Sequence, residues 1–152
     1  MFVAHDYLAS GFRAQNEEHF FVMWVNSTFA LLQLISATST TEGSWARMER
    51  FTLDRLQIPD FHSFSEETWE KSEQLWQMVS RMEALSLLEQ LTVGDDFRAT
   101  LDDGMLALLG FEDSTLRADL GKTARKGLAS AILALRESMG SGRESASDEM
   151  GE

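Results

Sequence analysis

The chain has no cysteine and a single proline, Pro59, in 152 residues. Without cysteine there is no disulfide framework, no thiolate metal site and no sulfur nucleophile. With one proline, little in the backbone chemistry interrupts long helices. Histidine is scarce as well. His5, His19 and His62 share no metal-ligand spacing, and neither Glu-x-x-His nor His-x-x-x-His occurs, so no zinc or di-iron centre is expected. There is no glycine-rich phosphate loop and no Gly-x-Ser-x-Gly elbow, which removes two large enzyme classes. No catalytic constellation and no cofactor site can be read from the chain. The longest apolar stretch, residues 20–35, is broken by Asn26, Ser27, Thr28 and Gln33, too short and too polar for a membrane span. No basic region precedes an apolar leader, so a cytoplasmic protein is expected.

Positive charge is also in short supply. The net charge of −12 repels polyanions overall, so contact with nucleic acid requires a local basic patch or a basic partner chain. Residues 44–58 are such a place: Arg47, Arg50 and Arg55 stand there against Glu49 and Asp54.

What is present is bulk for a core, with ten Phe and four Trp, enough for one domain of this length. Residues 1–12 read as a short strand or turn. Asn16, Glu17 and Glu18 open a first helix, with Asn as the cap and acids at the positive end of the dipole. From His19 its apolar positions cover most of the surface, which marks a buried helix. Asn26 in the middle is the exception: a satisfied core amide or a kink on one reading, a group that orders a loop or faces a ligand on the other. A polar loop over 37–44 leads to a period-two segment, Trp45 to Phe51, that reads as a short strand. Thr52 and Asp54 start one helical turn, and Ile58 before Pro59 is extended.

Ser63-Phe-Ser-Glu66 has the capping-box pattern, with Ser65 as the alternative cap, and the helix behind it is expected to run to about Leu91. Its stripe is Trp69, Leu75, Met78, Val79, Met82, Leu85 and Leu88. Gly94 ends it. Asp95 or Asp96 caps a third helix with Phe97, Leu101, Met105 and Leu108 inside, and Gly110 stands at C′. Asp113 or Ser114 caps a fourth, striped by Leu116, Leu120, Leu128, Ala131 and Leu135, with Gly121 and Gly127 expected to weaken or bend it. The acidic group Asp95, Asp96, Asp102 and Asp103 lacks calcium-loop spacing and reads as capping plus a solvated face. The expected fold is mainly α with a small β element: an apolar helix, a short strand segment, then three C-terminal helices. Residues 63–138 form a helical segment packed on 1–62 as one domain, and 139–152 form a disordered acidic tail.

The order of these segments resembles the C-terminal, target-recognition region of N6-adenine DNA methyltransferases related to type IIG restriction-modification enzymes. That region has a W-x-N-S-T-x-x-L-L phrase, a G-x-W step, an L-x-x-L-x-[IV]-P turn, a long helix, a D-x-x-R-x-x-[IL]-D helix and an L-G-L turn. Here they stand as WVNSTFALL (24–32), GSW (43–45), LDRLQIPD (53–60), the helix from 66, DFRATLD (96–102) and LLGF (108–111). The resemblance spans roughly residues 18–120. It implies a specificity segment without catalysis of its own, because the Asn/Asp-Pro-Pro-Tyr/Phe motif and the S-adenosylmethionine loop are both missing. The implied partners are a methyltransferase catalytic chain and, through the assembled complex, DNA. On that reading the candidate DNA-contacting residues, taken from the locally basic segment and the polar step in the first helix, are Asn26, Ser44, Trp45, Arg47 and Arg50. Pairing of those arginines with Glu49 and Asp54 remains the structural alternative. An acidic helical protein-protein interaction module, prone to self-association and without a nucleic-acid role, is the alternative function.

Overall fold

The structure, a computed structural model, describes residues 14–37, 39–40, 46–47 and 56–148, with side chains for 14–37 and 56–137. It is mainly helical. The apolar stretch forms α1 (Gln15–Asn26) and α2 (Thr28–Ser36), bent by 61° at Ser27. Two residues on each side pair antiparallel, β1 (Ser39–Thr40) with β2 (Ala46–Arg47), in the register Ser39 to Arg47 and Thr40 to Ala46. Of the strand expected over 45–51 only Ala46 and Arg47 are described, and the rest lies outside the described residues, as do the helical turn at 52–54 and residues 1–12. A 3-10 turn (Phe61–Ser63) precedes α3 (Glu66–Val79). A helical turn (Leu87–Glu89) runs into a π turn (Gln90–Gly94), and then come α4 (Asp96–Leu108) and α5 (Ser114–Asp148).

Local chemistry accounts for most boundaries. Ser65, the alternative cap, is the one used: its Oγ accepts from Thr68 N at 3.2 Å. Asp95 Oδ1 accepts from Phe97 N at 3.0 Å, and Asp113 Oδ1 accepts from Thr115 N and Leu116 N at 2.8 and 3.1 Å. Gly110 has φ +90°, with Gly110 N donating to Ala107 O and Phe111 N to Leu106 O, which is a Schellman ending. The first helix starts one residue ahead of Asn16. Its N-cap position is Ala14, without a side-chain cap, and Asn16 Oδ1 accepts only from its neighbour Glu17 N.

The second expected helix ends twelve residues early, at Val79 rather than Leu91. A second cap explains the break. The Glu89 carboxylate accepts from both the backbone N–H and the hydroxyl of Ser86, so Ser86-x-x-Glu89 starts a new helical turn. The apolar stripe read through this region therefore splits, and Met78 and Leu85 are exposed. In α5, Gly121 and Gly127 do not interrupt the helix. The buried side is rotated from the expected stripe: Gly121 and Leu128 are inside, whereas Leu116 and Leu120 are exposed. The backbone continues helical to Asp148, where a tail without helix was expected from Gly140. The tail contains no proline, and each further residue adds one local backbone bond.

Among the described elements α4 is central. It packs on α3 and α5 and also touches α1 and α2, while α1 lies on α3 and α2 on α5. The core is Phe20, Met23, Trp24, Ala30, Leu75, Val79, Leu101, Met105 and Leu108. Phe20 is wholly buried and meets Phe64 edge-on at 5.1 Å, with Phe61 at 5.6 Å and Trp69 at 6.2 Å. Gly104 lets α4 approach α3, since a Cβ there would stand 2.5 Å from Leu75 Cδ1.

One polar tie joins α1 to α3. His19 Nδ1 lies 2.8 Å from Glu73 Oε2, and its ring stacks on Trp76 at 4.3 Å. The hydrogen bond from His19 holds the Glu73 carboxyl below its ordinary pKa of 4.5. A depressed carboxyl stabilises the fold above its unfolded pKa, and that contribution is lost as pH falls through the folded value. The stability difference between wild type and Glu73→Gln should therefore shrink as urea-unfolding midpoints are measured at successively lower pH below 4.5. A difference that stays constant through that range rules out this linkage. Glu73 is part-exposed, so the effect is small.

Candidate functional site

A helix that breaks inside a protein exposes two sets of orphan groups: carbonyls at the end of the first part and N–H groups at the start of the second. The break at Ser27 is such a case, because Ser27 and Thr28 are both fully buried. Ser27 turns extended, with φ −69° and ψ 155°. Its hydroxyl donates to Trp24 O at 2.7 Å and accepts from Ala30 N at 3.3 Å, capping α2 locally.

The remaining groups are met from α4. Asp102, with no exposed surface, accepts from Thr28 N at 2.9 Å through Oδ1 and from the Thr28 hydroxyl at 2.8 Å through Oδ2. One turn earlier, Arg98 Nη1 donates to the carbonyl of Asn26. The anion thus sits at the N-terminus of α2 and the cation at the C-terminus of α1, each at the dipole end that favours it. Arg98 and Asp102 are four residues apart, so one face of α4 presents both.

The pair is completed by neighbours. Arg125 Nη1 of α5 donates to Asp102 Oδ2 at 2.9 Å. Gly121 makes room for it, since a Cβ there would stand 2.9 Å from Arg125 Nη1. Arg98 Nε and Nη2 both donate to Gln90 Oε1, at 2.9 and 2.7 Å, and Gln90 Nε2 donates to Leu85 O. Burial lowers the Arg98 pKa from its ordinary value. Asp102 and Asp95 oppose that shift, and Arg125 adds to it. The π turn, α4, α5 and the bent α1–α2 pair are thereby joined through one buried polar cluster.

The bend also holds both ends of the segment between 37 and 56. Trp24 Nε1 donates to Gln57 O at 3.1 Å. The Gln33 side chain makes two contacts with the Gln57 backbone: Gln57 N donates to Gln33 Oε1 at 2.9 Å, and Gln33 Nε2 donates to Gln57 O at 3.4 Å. The segment leaves from the end of α2 and returns to a point fixed on α1 and α2.

Of the residues singled out from the sequence, Asn26 lies in this cluster. Its side-chain Nδ2 donates to Val22 O at 2.8 Å within α1, and its carbonyl receives Arg98. Arg47 is on β2 with only its backbone described, and Ser44, Trp45 and Arg50 lie outside the described residues. Asp102 is not on a solvated face as the sequence reading had it. The signal was available: Arg98, Leu101, Asp102 and Met105 recur at i, i+3, i+4 and i+7, so two charges share the face of two core residues. Asp103 does reach the surface side, where Arg117 Nε pairs with it at 2.8 Å. Among the described residues no group of three His, Asp or Glu could hold a metal ion, and no helix is long and apolar enough to cross a membrane.

No family model matches this chain, nor does any curated protein or solved structure.

Proposed function

We propose that this chain is a non-catalytic specificity segment of a DNA adenine methyltransferase system of the restriction-modification type. It acts in the cytoplasm with a separate catalytic chain and contacts DNA through the segment between α2 and Gln57. One observation carries the reading. Two of the phrases on which the resemblance rests, WVNSTFALL and DFRATLD, are some seventy residues apart in sequence, yet Asn26 and Thr28 of the first bond to Arg98 and Asp102 of the second.

The mechanism is one of presentation. The buried cluster sets the angle between α1 and α2, and the Trp24 and Gln33 contacts anchor the return of the chain at Gln57. The segment that bears Arg47 thus leaves the helical body at the end of α2 and returns to it at Gln57. In this role the β1–β2 pairing belongs to a small β element that carries Ser44, Trp45, Arg47 and Arg50 to DNA. Phosphate contacts fix the register, and one or two side chains at base edges discriminate sequence.

The test is co-purification from the native host, followed by DNA-binding assays on the assembled complex. A chain bearing the missing methyltransferase motifs is expected to co-purify. Arg47→Ala and Arg50→Ala are each expected to weaken binding by a similar factor on all sequences if they hold phosphate, and to reduce the salt slope by about one. Unchanged affinity in both variants would sink the assignment.

A further inference from the structure

The basic side chains are not used evenly. Among the described residues Lys71 pairs with Glu67, Arg81 bonds Gln77, Arg117 pairs with Asp103, and Arg98 and Arg125 are engaged in the buried cluster. Lys122, Lys126 and Arg136 remain. All three are exposed, and none has an ion-pair or hydrogen-bond partner among the described residues. That is unexpected in a chain with 25 acidic residues and only 13 lysines and arginines.

These three side chains share one side of α5. Positions 122, 126, 129, 133 and 136 follow the i, i+4, i+7, i+11, i+14 pattern of a single helical face, well away from buried Gly121 and Leu128. Between the cations lie Ala129 and Leu133, the latter 43% exposed. The acids at the edges of the face are Asp119 and Glu137, and neither forms an ion pair with it. Residues 114–136 hold five cations against one acid, Asp119, in a protein of net charge −12. At about 1.5 Å per residue the cations span about 21 Å along the axis.

We infer that this face of α5 is a second contact surface for nucleic acid, taking the phosphate backbone of a duplex through Lys122, Lys126 and Arg136. Charge complementarity argues for that occupant. An acidic chain is held off a polyanion except where a face bearing cations without ion-pair partners meets it. The stripe lacks exposed Trp, Tyr or Phe and polar amides, so it suits backbone contact rather than base readout. The inference rests on the proposed reading only for the identity of the polyanion. It concerns a different surface from the Arg47 hairpin.

The experiment is fluorescence anisotropy of a short labelled DNA duplex with the full chain across a series of salt concentrations. Wild type is compared with the triple variant Lys122→Ala/Lys126→Ala/Arg136→Ala. A control variant, Lys71→Ala/Arg81→Ala, removes two cations away from the face, and Arg47→Ala/Arg50→Ala removes the hairpin cations. Circular dichroism confirms that each variant is folded, as expected for exposed positions. The triple variant should bind more weakly by the same factor on unrelated sequences, and its salt slope should fall by about 2.7, close to 0.9 for each of three phosphates. The control should retain the wild-type slope. Absence of wild-type binding at low salt overturns the inference, and so does a triple variant that matches wild type or loses no more than the control. Loss in the triple variant but not in the hairpin variant supports this surface on the chain alone, and the specificity reading is decided separately by the hairpin variants in the assembled complex. The reverse pattern retains that reading and removes this surface.

Discussion

Asp102→Ala should destabilise the protein by about 3–5 kcal/mol, the range for removing one partner from a buried charge cluster. Three donors converge on that carboxylate: Thr28 N, the Thr28 hydroxyl and Arg125 Nη1. The two Thr28 donors cannot turn to bulk water in its place, because Thr28 is fully buried, whereas the part-exposed Arg125 can. Arg98 keeps Gln90 and the Asn26 carbonyl but loses the larger of the two negative contributions, from Asp102 and Asp95, that offset its burial. Against a typical total stability of about 5–15 kcal/mol, such a loss leaves little reserve. Urea unfolding provides the measurement: the midpoint should fall with the slope unchanged. Asp102→Asn should cost less, because its remaining oxygen still accepts from Thr28 N and its amide can donate to the Thr28 hydroxyl, so that the Arg125 bond is the main loss. A cost below about 1 kcal/mol for Asp102→Ala, the scale of one ordinary hydrogen bond, would mean that the bend is held by packing alone.

The same cluster explains what the sequence could and could not disclose. Caps were legible because their chemistry is local: Ser65, Asp95 and Asp113 act on amides two or three residues away, and Gly110 sits in the left-handed turn that a Schellman ending requires. The end of α3 was legible in principle through Ser86 and Glu89, but an apolar stripe that continues across a break in the helix hides it. Buried charge is harder to see. Asp102 is one of four acids within nine residues, and only its place on the face of Leu101 and Met105 sets it apart from Asp103. Its role depends on a helix break seventy-four residues earlier and on Arg125 in the next helix. The 61° bend was foreshadowed only by the polar Asn26-Ser27-Thr28 step in an otherwise apolar run. Such a step is tolerable inside a core when another element supplies partners, and Arg98 and Asp102 are those partners.

The other large effect belongs to the apolar side of α1. Phe20→Ala should cost about 3–5 kcal/mol, combining lost transfer free energy with the cavity left behind. Phe20 has no exposed surface and is ringed by Phe61, Phe64 and Trp69. Those three come from the 3-10 turn, the linker after it and the start of α3, so the ring cannot collapse inward by moving one element. The aromatic pairs add about 0.5–1.5 kcal/mol each beyond area burial, which places the expected cost toward the upper part of the range. Phe20→Leu fills most of the volume without the edge-on contacts and should cost clearly less. Phe20 is on α1 and Asp102 on α4, and among the described residues they share no hydrogen-bond or ring partner, so their effects should add in the double variant. Strong non-additivity in urea unfolding would show instead that the aromatic ring and the buried charge cluster are one cooperative support, with the bend at Ser27 transmitting strain between them.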